Sequence, residues 1–318
     1  MLSRRSVLAG VALAPFLGNA ARAAAPAVPL YDSHIHFFTN DIARYPIDPR
    51  GAREPEEVMR ARIVSHPVMP APMLALWDAL GVSGGVGVQY RGAYKGDNSY
   101  LLDVADAFPE RIATEIMLEA SNPESPAMLA DFAAHRRITA VRLTGFDTGD
   151  GTLPWLNSPE ALTICSLARD LSLPICMTYL PPRPASTALA AVRDLAGRFP
   201  DNIIVLEHLG WLGGANSDNG LLPDHFEMVG LPNILFKWTT LDLDILYNAG
   251  IATSAFLRTA VDTFGAGRLM WGSDFGNSTR PYRQLVAEAH AACGRLTESE
   301  ARQVLQETGQ HIFRHRAA

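Results

Sequence analysis

YDSHIHFF, residues 31–38, places two histidines one residue apart, His34 and His36, where an early apolar run ends. In a strand, side chains at i and i+2 share a face, so both imidazoles can converge on one ion, water or carbonyl oxygen. That is the geometry of a hydrolytic site. Read this way, the chain opens with a strand that carries its functional groups at its C-terminal end, which sets the pattern to look for in the rest.

Seven further short apolar runs follow, at 82–89, 111–118, 138–144, 173–179, 202–209, 233–239 and 268–274, after a first at 29–34. Most are near-continuous (IIVL, ILFKW, AVRL, LMW), as expected for parallel strands buried on both faces. Between them lie helix signals. Asp97-Asn98 opens NSYLLDVADAF, Ser158-Pro159 offers a cap and a first-turn proline, and Thr297 to Glu300 reads as a capping box. The alternation predicts a (β/α)8 TIM barrel, an α/β fold, in a single domain over 24–318. Long loops after strand 1 (38–70) and strand 4 (145–157, with Trp155) would cover the site.

Such a barrel collects its functional residues at the C-terminal ends of its strands. His34 and His36 end strand 1, Gln89 ends strand 2, Arg142 lies on strand 4, His208 ends strand 6, Lys237 lies on strand 7 and Asp274 ends strand 8. An apolar strand ending in a lone carboxylate, as at Asp274, buries a charge that needs a reason. Tyr94, Tyr179 and Arg183 are further pocket candidates. Glu207 adjoins His208 and, on a continuous strand, points to the opposite face. His66, His135, His225, His290, His311 and His315 have no partners at ligand spacing and read as surface or core residues.

The chain has 318 residues, 48% hydrophobic and 19% charged, with a formal charge of -6. There is no basic run or stripe, which argues against nucleic acid and for a small ligand. Residues 1–23 read as a twin-arginine-type export signal: Arg4-Arg5, an apolar run of about eleven residues, then Ala21-Arg22-Ala23 at a cleavage site. The run is too short to span a bilayer, so the expectation is a periplasmic protein without stable membrane insertion. Cys165, Cys176 and Cys293 form no disulfide framework and are expected to be structural. Nothing in the sequence fixes an oligomeric state.

The pieces DSHIHFF (32–38), GDNSYLLDVADAFPERI (96–112), AVRLT (140–144), LEHLG (206–210), NILFKW (233–238), RLMWGSDFG (268–276) and ETGQHIF (307–313) run in order over nearly the whole chain. Together they resemble the amidohydrolase-related (amidohydrolase 2) family of metallo-dependent hydrolases, in its branch of 2-pyrone-4,6-dicarboxylate and sugar-acid lactonases. The resemblance implies that His34, His36, His208 and Asp274 form the centre, holding one divalent metal (Zn or Mn) or none. It also implies that Arg142 and Lys237 sit close to a substrate bearing a carboxylate or hydroxyls; Gln89, Tyr94 and Tyr179, read from their own positions, are expected to bind it with them. Many relatives carry a further histidine ligand or a carboxylated lysine on strand 5, where this chain has Thr178; the departure weakens the decarboxylase and binuclear readings. The expected reaction is opening of a lactone, with Asp274 as base toward water and the histidines polarising the carbonyl, directly or through an ion. The alternatives are a metal-dependent decarboxylase of a small unsaturated acid, and a barrel that binds a small acid without turning it over.

Overall fold

Buried apolar runs with period-two side chains and helix-length spacers have one economical arrangement, a parallel sheet covered by helices. A computed structural model describes residues 28–314 and shows it. Strands β1 (Leu30–Ile35), β2 (Val82–Val88), β3 (Ile112–Leu118), β4 (Ala140–Phe146), β5 (Ile175–Leu180), β6 (Ile204–Leu206), β7 (Ile234–Trp238) and β8 (Leu269–Trp271) pair in parallel in chain order. The export signal expected over residues 1–23 lies outside the described residues, as does His315. No helix among the described residues is long and apolar enough to cross a membrane.

The sheet curls until its edges meet. His36 N donates to the Phe275 carbonyl at 2.9 Å and Asp274 N to the His34 carbonyl at 2.8 Å, stitching β1 to the segment after β8. Asp32 clamps the same seam, accepting from Ser273 N at 2.8 Å, Ser273 Oγ at 2.6 Å and Tyr282 Oη at 2.9 Å. Gly272 permits the approach, because a Cβ there would lie 2.4 Å from His34 Cβ. The eight-strand (β/α)8 barrel read from the sequence is therefore present, with β6 and β8 shorter than expected.

Inside the barrel, Val86, Val88, Ala140, Cys176, Val205 and Met270 pack with Tyr31 and with Ile312 and Phe313, which plug the N-terminal end. The three cysteines are free and buried. Of the expected caps, Ser158 Oγ accepts from Ala161 N at 3.0 Å, and Thr297 and Glu300 form the capping box. Asn98 does not cap. Its side chain turns into the barrel wall, donating to Met117 O at 3.0 Å and accepting from Met117 N at 2.8 Å, and Asp97 Oδ1 takes the helix-end Ser99 N–H instead.

Candidate active site

Each strand end places one part of the site. β1 delivers His34 and His36 with their rings 4.9 Å apart. Past β8, Asp274 adopts a left-handed backbone (φ 53°) and its side chain reaches back to them. The two histidine Nε2 atoms are 3.3 Å apart, and Asp274 Oδ1 lies 3.6 Å from that of His34 and 3.2 Å from that of His36. Asp274 Oδ2 accepts from Asn277 Nδ2 at 2.8 Å.

β6 stops at Leu206 because the chain turns sharply: His208, Leu209 and Gly210 all have positive φ. The turn lifts His208 beside His34, with the rings 5.3 Å apart. Trp211 stacks on His208 at 4.7 Å, and its Nε1 donates to the Tyr179 carbonyl at 2.9 Å. Tyr179 Oη donates to Gly210 O at 2.6 Å, and His225 Nε2 meets Leu209 O at 2.7 Å. Tyr179 therefore fastens the turn from beneath and is absent from the cavity lining, contrary to its expected place beside the substrate.

The same turn overturns the expectation for Glu207. Two residues after inward-facing Val205, it points into the barrel, and the broken strand sends His208 toward the same space. Arg142 Nη2 and Nε donate to Glu207 Oε2 at 2.7 and 2.9 Å, and Glu207 Oε1 lies 3.5 Å from both His34 Nδ1 and Lys237 Nζ. Lys237 also donates to Glu115 Oε2 at 2.5 Å. It is fully buried, so its assignment to substrate binding is corrected: its charge is needed to balance two interior carboxylates. Gln89 and Tyr94 are buried as well. Gln89 Nε2 donates to Asp97 O, Tyr94 Oη accepts from Thr39 N at 3.3 Å, and neither lines the cavity. Arg183 is engaged with Asp147.

A cavity of about 360 Å³ opens above this floor. His36, His208, Asp274 and Arg142 line it, together with Thr144 and Thr178 from neighbouring strand positions. Its remaining walls include Arg53, Tyr90, Arg91, Asn277 and Trp211, which the sequence reading did not identify. Arg53 and Arg91 belong to the connections after β1 and β2, where no strand periodicity marks a residue's direction.

Electrostatics fix the working protonation states. Burial pushes the His208 imidazole down to about 4, against the opposing pull of Asp274 and Glu207. Burial likewise drives His34 well below the ordinary histidine range, although Glu207 opposes it. For Asp274, burial is outweighed by the neighbouring His36, His208 and Asn277, which together hold the carboxyl below its usual value. At neutral pH the floor holds two neutral imidazoles, His34 and His208, beside a carboxylate.

The donor set fits a divalent cation. His36 Nδ1 is 2.8 Å from the Val88 carbonyl, which can only accept, so Nδ1 carries hydrogen and Nε2 presents a lone pair in the neutral ring. His34 Nδ1 lies 3.5 Å from Glu207 Oε1, and a hydrogen carried on that side leaves its Nε2 a lone pair as well. Two lone pairs and Asp274 Oδ1 then face one point at separations of 3.2–3.6 Å. A tetrahedral ion with bonds near 2.1 Å requires edges of about 3.4 Å. His34, Glu207 and His208 form a second such group, with donor atoms within 4.8 Å. The donors at His208 are equally constrained: Thr239 N and Oγ1 donate to Asp242 Oδ2, leaving Oγ1 to accept from His208 Nδ1 at 2.8 Å.

Comparison with known proteins agrees with this fold. The chain is 26% identical over 216 residues to the L-fucono-1,5-lactonase of Burkholderia ambifaria, covering 65% of this chain and 71% of that one. Among solved structures, it superposes on a putative 2-pyrone-4,6-dicarboxylic acid hydrolase from Pseudomonas putida (TM-score 0.68, 22% identity, 90% and 97% coverage). It also superposes on an amidohydrolase from Burkholderia multivorans with bound zinc (TM-score 0.65, 18% identity, 91% and 100% coverage). The model of the amidohydrolase family matches residues 31–314, and with nearly all of the barrel inside that match the chain belongs to the amidohydrolase family and is an enzyme of the hydrolase class.

Proposed function

We propose that this hydrolase opens a lactone of a small acid by attack of water on the ring carbonyl. The observation that carries the reading is the Asp274 carboxyl, buried on the cavity floor with His36 and His208 and open to the space where a carbonyl would lie, with its pKa held low by those neighbours. The lactonase relative supports it, as does the likeness to the pyrone-dicarboxylic acid hydrolase.

Asp274 takes the proton of a water molecule aligned with the carbonyl carbon. The ring C–O bond then breaks, that proton passes to the departing oxygen to give a hydroxyl, and the new carboxylic acid ionises and releases the second proton of the water. Arg142 faces the cavity with its guanidinium already oriented by Glu207 and the Gln89 carbonyl, which prepares it for a carboxylate or carbonyl oxygen of the substrate. His208 offers an Nε2 lone pair to the cavity, while Trp211 holds its ring in place. His34, His36 and Asp274 would hold a divalent ion, which when bound supplies Lewis acidity toward the carbonyl and lowers the pKa of water.

The test is Asp274→Asn on a lactone that the wild type opens. Removing the base is expected to cut kcat by about 100-fold to 1000-fold, with the thermal midpoint held near that of wild type. Near-wild-type turnover in the variant would remove Asp274 from this role.

A further inference from the structure

The cavity walls divide by strand order. Phe146 and Leu180, the last residues of β4 and β5, and the segments after β5 to β7, with Pro181, Pro182, Trp211 and Leu241, supply an apolar face; Phe146 is 52% exposed. The connections after β1 and β2 supply Arg53 and Arg91. Among the described residues, neither guanidinium has a carboxylate partner. Arg53 makes one long contact, 3.5 Å to Asn277 Oδ1, and Arg91 lies on the Phe146 ring at 5.3 Å. The nearby acids are already taken, Glu54 by Arg62 and Asp147 by Arg183. Deeper in, Thr178 Oγ1 is buried, lines the cavity and has no hydrogen-bond partner.

A ligand that fits must satisfy all three zones. A polyol lactone would press hydroxyls against the apolar face and leave them unpaired, at a cost of about 1–3 kcal/mol each. A ring with carboxylates on both sides would desolvate one of them against Phe146 and the prolines, or bring it to Arg142, whose charge Glu207 already balances. We propose that the cavity selects an amphipathic monoanionic lactone, with an aryl or alkyl flank against the apolar face, a carboxylate toward Arg53 and Arg91, and a ring oxygen toward Thr178. This rests on the lactone reading above and specifies its substrate class.

The test ranks four probes by kcat/KM with the intact protein: dihydrocoumarin bearing a ring carboxylate, dihydrocoumarin itself, L-fucono-1,5-lactone and 2-pyrone-4,6-dicarboxylate. The carboxylated aryl lactone is expected to lead the parent by about tenfold and the other two by more, since one desolvated charge contact is worth about that factor. In the double variant Arg53→Ala/Arg91→Ala, the ratio between the two aryl probes is expected to fall to about one. A lead for the sugar lactone or the pyrone dicarboxylate overturns the inference and leaves the lactone reading standing. If no probe is opened, the lactone reading falls, and calorimetry with the carboxylated dihydroquinolinone lactam decides the ligand class. Binding about tenfold tighter than L-fuconate supports the amphipathic class, and equal or weaker binding overturns it.

Discussion

At the scale of single residues, the site is a crowd of lone pairs with one common focus. His36 is fixed by the Val88 carbonyl, His34 faces Glu207, and Asp274 Oδ1 completes a triangle that repels itself unless something positive occupies the centre. Elemental analysis of protein purified without chelators is expected to find about one divalent ion per chain, bound by this set; a metal-free, fully active protein would contradict it. The protonation states give a second expectation. The working forms are ionised Asp274 and neutral His208. Both groups have lowered folded-state pKa values, so these forms persist as the pH falls; neutral His208 is lost as it passes through about 4, while Asp274 stays ionised below the ordinary carboxyl range. A profile of kcat/KM should therefore stay level from pH 8 down past 6 and fall with a midpoint near 4, and a midpoint at the ordinary histidine value of about 6.5 would contradict this assignment. His34, His36, His208 and Asp274 were all legible in the sequence because each follows an apolar run. Lys237 was legible as a position but not as a role: its partners Glu115 and Glu207 come from other strands, and pairing across a barrel leaves no trace in local spacing.

At the scale of elements, the informative departures are where strands end. Alternation placed Glu207 outside, but β6 ends at Leu206 and the positive φ of His208 to Gly210 lets consecutive residues serve the same interior. The only local sign is the glycine closing LEHLG, which by itself does not set the conformation of the two residues before it. Asn98 is a similar case. The residue type suits a helix cap, whereas here its amide replaces a strand partner for Met117 on β3. Asn98→Ala leaves a buried N–H and C=O unpaired and is expected to cost about 2–3 kcal/mol, seen as a lower midpoint in denaturant unfolding. Because β3 contributes no residue to the cavity lining, kcat/KM per folded molecule should stay near wild type. An unchanged midpoint would show that the amide does not carry this part of the wall.

At the scale of the whole molecule, the barrel does three jobs along its axis. Ile312 and Phe313 seal the N-terminal end, and a charge-balanced layer of Glu115, Arg142, Glu207 and Lys237 crosses the interior. Above them His36, His208 and Asp274 form the floor of an open cavity, with His34 buried beneath. The order of apolar runs was enough to read the fold, since a parallel barrel needs eight buried strands and helix-length returns. Much of the cavity wall was not readable, because Arg53, Arg91 and Trp211 lie on connections whose course depends on packing with the rest of the molecule. Which bond the enzyme breaks is read directly by a pH-stat assay coupled to carbon dioxide detection. With a lactone that fits the cavity, the protein is expected to release one proton for each ring opened and no carbon dioxide. Carbon dioxide released from a small unsaturated acid, with lactones left intact, would contradict the account and make the enzyme a decarboxylase.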